Sequence, residues 1–446
     1  MGIKAQFWSL TQTINHVFDR KSVRKTAMET GFSQRLSKLT PEIFLSLCTF
    51  LKDSVGNESL QHLCSAISYP YQTSISKQAL HERFNKQAVS FLKEIYQQLV
   101  SNRVKIPRHV DVNRLFSRIR IMDSTSFNLE GDYPDYPGFR NSGVKIQFDY
   151  DWLHGDFLYQ SVDPQTKNDK SAAREMMNSL LPGDLVLRDL GFYAATIMKE
   201  INKRGAYFIT RAPSKTKFWV GSSKEGWTQI VPEEDLKDKD SGEVIDYGFV
   251  KVGGDARNSF IGRVVAQKLT PEQRKRRKQA LKEKGQNGRH VQSALKRNDI
   301  QVLVTNITQE KLGPQDLYPL YTLRWQVEII FKTWKSLYQI NNVRKMKQER
   351  MECHLYGTLI KIILSSMAMF QCRYYLYQNH QKEISEYKAM DLIQGVLPYL
   401  GPALESGIKA IYELLLTVYE NTTRHGIKDH RKGHQSPFDV LGLPYK

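Results

Sequence analysis

Leu317-Tyr-Pro-Leu-Tyr-Thr-Leu-Arg-Trp-Gln-Val-Glu-Ile-Ile-Phe-Lys-Thr-Trp-Lys-Ser-Leu337 reads as one amphipathic helix. At about 100° per residue, Tyr321, Arg324, Glu328 and Lys335 fall at roughly 0°, −60°, −20° and −40°, and Lys332 at about 20°. Leu323, Val327, Ile330, Trp334 and Leu337 make an apolar stripe directly opposite. A solvated charged face has the same pattern. A single carboxylate set among cations and a phenol suits a phosphate-rich ligand better than water.

The totals point the same way. In 446 residues, 65 Lys and Arg face 46 Asp and Glu, a net charge of +19 and a pI near 9.5. Such a balance favours a polyanionic partner, nucleic acid ahead of a membrane surface. The length allows two or three domains. The apolar run Leu355 to Phe370, short for a span and interrupted by Lys361, is expected to be a core helix. The N-terminus carries no apolar signal region, and Cys48, Cys64, Cys353 and Cys372 sit scattered in apolar patterns as reduced core thiols. The expected location is therefore cytoplasmic, with no membrane partner. No Gly-x4-Gly-Lys-Ser/Thr loop is present, so no nucleotide cofactor is expected.

Residues 1–105 read as a helical DNA-binding region. Thr40-Pro41-Glu42 opens one helix; Leu60, Leu63, Cys64 and Ile67 mark a second. Ser76 caps a third, whose inner face is Leu80, Phe84, Ala88, Phe91 and Ile95 and whose outer face begins Lys77, Gln78, His81 and Asn85. Residues 57–95 thus resemble a helix-turn-helix, although many helical hairpins look alike. From 106 to 212 the period becomes extended: strands at Arg118–Phe127, Gly143–Trp152 and Asp156–Val162, then βαβ-like units through Asp184–Asp189 and Ala206–Arg211. Residues 213–299 form a β-rich, basic insertion containing the cations Arg274, Lys275, Arg276, Arg277 and Lys278, candidates for phosphate contact. The sheet resumes at 299–305; 300–380 complete the core with the Glu328 helix, and 381–446 are helical with a basic tail. The fold class is α/β, a ribonuclease-H-like mixed five-stranded sheet flanked by helical N- and C-terminal regions.

Asp123 and Asp189 end strands, and Glu328 is the helical acid. Bringing unit charges to about 4 Å costs roughly 4 kcal/mol per pair at an effective dielectric near 20, so such a cluster needs a cation. All-oxygen ligands select Mg²⁺ or Mn²⁺, and two such ions can activate a water or a 3′-hydroxyl and steady a leaving oxygen. Arg324, Lys335 and Lys332 would hold flanking phosphates, and Tyr321 would hydrogen-bond a phosphate or stack beside a base. His425, His430 and His434 are spaced too loosely for a metal site. Asp149, Asp151 and Asp156 are expected to be surface acids.

Tyr321-x2-Arg324-x3-Glu328-x6-Lys335 resembles the Tyr-Arg-Glu-Lys signature of the DDE transposases of bacterial insertion sequences, in the fourth insertion-sequence family. Asp189-Leu-Gly-Phe192 and Ile121-Met-Asp-Ser124 resemble its two aspartate motifs. The resemblance implies Asp123, Asp189 and Glu328 as catalytic metal ligands for two ions, with Tyr321, Arg324 and Lys335 on the transposon end. It also implies cut-and-paste transposition: nicking, a DNA hairpin, then strand transfer to target DNA within a synaptic homodimer. Where that family can use an insertion tryptophan to stack on a flipped base, this chain has Ile300-Gln301; Trp227, Trp219 and Trp325 are the alternatives. A catalytically silent DNA-binding protein and a nuclease without strand transfer are the competing functions.

Overall fold

The computed structural model describes residues 3–35, 37–102, 115–222, 226–254, 258–283, 299–430 and 435–443. Among them, ten strands form one mixed sheet: β1 Arg118–Leu129, β2 Ser142–Asp151, β3 Phe157–Pro164, β4 Asp184–Arg188, β5 Tyr207–Arg211, β6 Phe218–Ser222, β7 Gly226–Ile230, β8 Val244–Val252, β9 Phe260–Lys268 and β10 Ile300–Thr305. Their order is β3-β2-β1-β4-β5-β10-β9-β8-β6-β7. β1, β2 and β3 pair antiparallel, and β1, β4 and β5 pair parallel. The expected five strands are thus only half of the sheet. β10 adds antiparallel to β5 and β9 to β10, so the 213–299 segment extends the sheet instead of standing apart. β9 escapes a reading by alternation because Val264, Val265 and Ala266 are buried on both faces.

Alternation along β1 divides the interior. Ile119 and Ile121 face the larger core, which also holds Val327, Trp334 and the terminal helices, whereas Met122 faces a second core with Met176, Met198 and Phe208. Polar side chains are buried beside the second core. Arg120 bonds Asp149, Arg118 Nε donates to Asp184 at 2.7 Å, and Arg120 Nη1 reaches Asp184 at 3.4 Å. Asp149 and Asp151 are therefore not surface acids: both are fully buried. Asp151 accepts the backbone N–H of Leu153 at 3.0 Å and bonds His154. Sequence spacing could not reveal this, because the arginine that balances Asp149 lies on a neighbouring strand.

The expected helix after Ser76 is two helices. Ser76 Oγ accepts Ala79 N–H over Lys77–Arg83, and Asn85 Oδ1 accepts Ala88 N–H to open Lys86–Ser101. Asn85 is thus a cap, and its oxygen is spent on the backbone. The apolar run lies in a core helix, as expected, although the whole helix, Gln348–His380, has 33 residues and is long and apolar enough to cross a membrane by length and composition. Within its most apolar window 83% of the residues are buried inside the protein, which is how a core helix is used. N-terminal, sheet-facing and C-terminal helices share this core; Phe7 stacks on Tyr375 with ring centroids 5.6 Å apart. All four cysteines are free, three of them buried.

Candidate active site

The stretch that reads as one helix is three pieces: Pro314–Thr322, a 3-10 turn Leu323–Trp325, and Gln326–Ser336. A 3-10 residue advances about 120° instead of 100°, so the turn rotates the second helix against the first. The consequence falls on Tyr321. Its ring is buried, 3% exposed, and its hydroxyl donates to the Arg188 carbonyl at 3.2 Å. Base stacking by Tyr321 is therefore set aside: the ring packs under the site and faces no solvent.

The remaining residues of the stretch lie over the sheet. Met122 on β1 and Arg188 on β4 are register partners on adjacent parallel strands, so Asp123 and Asp189 occupy equivalent next positions on one face. Gln326–Ser336 packs on that face beside β1. Arg324, buried at the turn, donates from Nη1 to Asp123 Oδ2 at 3.1 Å, and its Nη2 lies 3.6 Å from Glu328 Oε1. Asp123 Oδ1 accepts the Ser124 N–H at 2.8 Å. Lys335 Nζ donates to the Ser126 carbonyl of β1 at 3.2 Å. Lys332 is exposed and lies over the Tyr387 ring at 5.6 Å.

Electrostatics distinguish the two aspartates. Burial pushes Asp123 up to about 6; Asp189 and Glu328 add to the rise, while the Ser124 N–H and the Arg324 guanidinium oppose it. Burial also raises Asp189, but Arg211, with Nη2 at 2.7 Å from its Oδ1, overrides that and holds it low. Arg211 is a residue that sequence reasoning missed; the only signal was a cation ending the strand next to the Asp189 strand. A second missed group lies on the opposite face of β1. Asp169 accepts Lys145 Nζ at 3.1 Å and Gln147 Nε2 at 3.0 Å, and Ser124 Oγ at 3.4 Å, fixing the backbone next to Asp123.

The basic insertion helix Pro271–Glu283 meets the start of β10 through Arg277, whose charge is felt by Arg211 at the end of β5. Arg277 is not free for phosphate: Nη1 donates to the Ile300 carbonyl at 2.9 Å and Nη2 bonds Gln301. Burial, then repulsion from Arg211, lowers its pKa. Arg274 lies 3.8 Å from Asp299, and Lys275 is exposed. The side chains of Arg276 and Lys278, and His434 as a whole, lie outside the described residues. Lys77, Gln78 and His81 are exposed on the N-terminal Lys77–Arg83 helix, Gln78 Nε2 donating to Glu82 at 3.2 Å. Of the tryptophans, Trp325 is 50% and Trp227 37% exposed, with Lys251 Nζ 5.1 Å from the Trp227 ring. Trp219 Nε1 donates to the Gly253 carbonyl at 3.1 Å.

Among the described residues no three acid, imidazole or thiol side chains stand closed around a common point. The donor chemistry nevertheless fits a hard divalent cation. Asp123 is pushed up first by burial and then by the neighbouring carboxylates of Asp189 and Glu328, and a guanidinium stands between Asp123 and Glu328.

Asp123 lies midway along β1, not at its end as expected, and Asp189 directly follows β4; an α/β sheet carrying acids at these adjacent positions, under a helix that carries a third, belongs with enzymes acting on phosphodiesters. Sequence comparison gives the family. The transposase DDE domain model matches residues 114–364. The transposase of insertion sequence IS231F from Bacillus thuringiensis subsp. israelensis is 33% identical, covering 100% of this chain and 97% of the relative. The IS1151 transposase of Clostridium perfringens is 30% identical over 97% of this chain and 96% of its own. A piggyBac transposase synaptic complex with hairpin DNA superposes at 12% identity with a TM-score of 0.44, covering 93% of this chain and 81% of that one, too distant to carry weight. The chain belongs to the DDE transposases of insertion sequences, metal-dependent enzymes that cut DNA and transfer its strands.

Proposed function

We propose that Asp123, Asp189 and Glu328 are the catalytic metal ligands of this transposase, on a ribonuclease-H-like unit formed by β1 to β5. The observation that carries this is the pairing of Met122 with Arg188 on adjacent parallel strands, which puts Asp123 and Asp189 at equivalent next positions, with Arg324 of the signature stretch joining Asp123 to Glu328. Two ions, Mg²⁺ or Mn²⁺, would supply activation of water or a 3′-hydroxyl and stabilisation of the leaving oxygen. The chain's own residues do the rest. Arg211 keeps Asp189 ionised, and the Ser124 N–H and Arg324 draw Asp123 toward its charged form. Lys335 and Arg324 bind phosphates flanking the cut; the Lys335 ammonium is held at the Ser126 carbonyl of β1. Lys77, Gln78, His81, Lys275 and Lys332, all exposed, take outlying DNA. Trp325 or Trp227 can stack on an unpaired base.

The reaction we assign is cut-and-paste transposition through a hairpin on the transposon end, followed by strand transfer into target DNA within a synaptic homodimer in the bacterial cytoplasm, on the nucleoid. We divide the chain as 1–105 for DNA binding, 106–212 and 300–380 for the catalytic core, 213–299 for the insertion and 381–446 for the C-terminal region. The test is incubation of the full chain with its element's end duplex and Mg²⁺. Glu328→Ala is expected to lose all strand cleavage, a drop of at least about a thousandfold, while end binding persists. Wild-type protein that binds ends without ever cutting them would sink this reading in favour of a silent DNA-binding protein.

A further inference from the structure

Arg324 is an enclosed cation between two of the acids, with a side chain 5% exposed, yet its donors are poorly spent. Nη1 makes one bond of 3.1 Å, Nη2 stands 3.6 Å from Glu328, beyond hydrogen-bond range, and buried Nε has no hydrogen-bond partner. Arg263 shows what a structural guanidinium does in the same protein. Its Nε and Nη2 grip Asp246 at 3.0 and 2.6 Å, and Nη1 donates to the Leu312 carbonyl at 2.7 Å. Arg263 is locked in place; Arg324 neutralises charge without locking. Its guanidinium lies 4.6 Å from the ring of Trp325, which is half exposed, so a flat surface leads from the acids toward solvent.

We propose that the Arg324 guanidinium is a displaceable counter-ion: it holds Asp123 and Glu328 while no divalent ion is bound, and passes to a DNA phosphate when one is. The inference rests on the reading of the acids as ion ligands. Asp123 and Glu328, as ligands, would hold a divalent ion close to the guanidinium they now share, and at equal distance a double charge repels that guanidinium about twice as strongly as one carboxylate attracts it. One must leave, and the guanidinium is tethered to a chain that lets it swing along Trp325. A phosphate waiting outside the acids makes that departure easier, since the freed cation is paired again at once. Ion and DNA binding are thereby positively coupled, by the same factor in each direction.

The experiment is Mn²⁺ binding to the full chain, read from the electron paramagnetic resonance of the free ion, with and without an end duplex carrying a non-hydrolysable linkage at the cut site. Arg324→Gln is expected to bind Mn²⁺ at least about fivefold more tightly than wild type in the absence of DNA. DNA should raise wild-type affinity by a larger factor than it raises that of Arg324→Gln. Arg324→Lys, which keeps the charge and guards against a folding effect, should return toward wild-type values. The counter-ion role is overturned if Arg324→Gln binds Mn²⁺ no more tightly than wild type, or if DNA strengthens both equally. Asp123→Asn and Glu328→Gln separate the two readings. If both weaken Mn²⁺ binding and Arg324→Gln changes nothing, the ligand assignment stands and this inference falls; if neither weakens it, both fall.

Discussion

Lys335 and Tyr321 sit fourteen positions apart on the same signature and have opposite fates. The Lys335 ammonium lies at the edge of β1, where burial lowers its pKa, and its partner is a neutral carbonyl. A lysine held so has charge to spare for a phosphate. Lys335→Ala is expected to weaken end binding and reduce the slope of log K against log salt by about one, measured by titrating a labelled end duplex across salt. Tyr321 gives the contrary expectation. Its hydroxyl is spent on the Arg188 carbonyl beneath the site, so Tyr321→Phe should cost about 1 kcal/mol of stability in a denaturant titration and leave the salt slope of end binding unchanged. A lowered slope in Tyr321→Phe would return the phenol to the phosphate-binding set.

Among the elements, the long helix Gln348–His380 shows how packing overrides composition. Read alone, it satisfies the length and apolarity of a membrane span; in the fold, its faces are taken by the sheet, the N-terminal helices and the C-terminal helices. Gly357 is where this packing is tightest. A Cβ there would stand 2.4 Å from the Cys48 carbonyl and 3.1 Å from the Cys48 Cβ, at the end of the Pro41–Thr49 helix. Gly357→Ala must push those helices apart against backbone, so a loss of about 1–3 kcal/mol is expected on thermal or chemical unfolding. The better helix propensity of alanine recovers only a part of this.

The whole molecule depends on pH through the seam between its N-terminal region and this helix. His354, 3% exposed, has Nε2 at 3.2 Å from the Ile340 carbonyl and its ring against Gly56, where a Cβ would come within 2.7 Å. Burial, with help from Lys361, lowers its pKa to about 4, against 6.5 for the free side chain. A depressed pKa means that the folded protein prefers the neutral ring. Its contribution is complete above pH 6.5 and is lost as pH falls toward 4, as the unfolded chain takes up the proton first. The difference of roughly 2.5 units corresponds to about 3 kcal/mol. Urea midpoints of the wild type should therefore fall between pH 6.5 and 4 more steeply than those of His354→Gln.

Much of this protein is written locally. The order of helices, strands and helices, the acid that follows β4, and the spacing from Tyr321 to Lys335 all follow from period, capping and turn residues, which act over a few positions, whereas β1 runs on past Asp123 to Leu129. What local pattern could not carry was decided in three dimensions. The 3-10 turn that buries Tyr321 comes from how two helices seat on one sheet. Arg211 meets Asp189, and Arg120 meets Asp149, only because β5 pairs beside β4 and β2 beside β1 in a register that no short window of sequence fixes. The insertion supplies four strands of a ten-stranded sheet because β10 leaves an edge open to β9. Charge pairing and edge pairing are set by which strands lie side by side, and only the folded chain determines that.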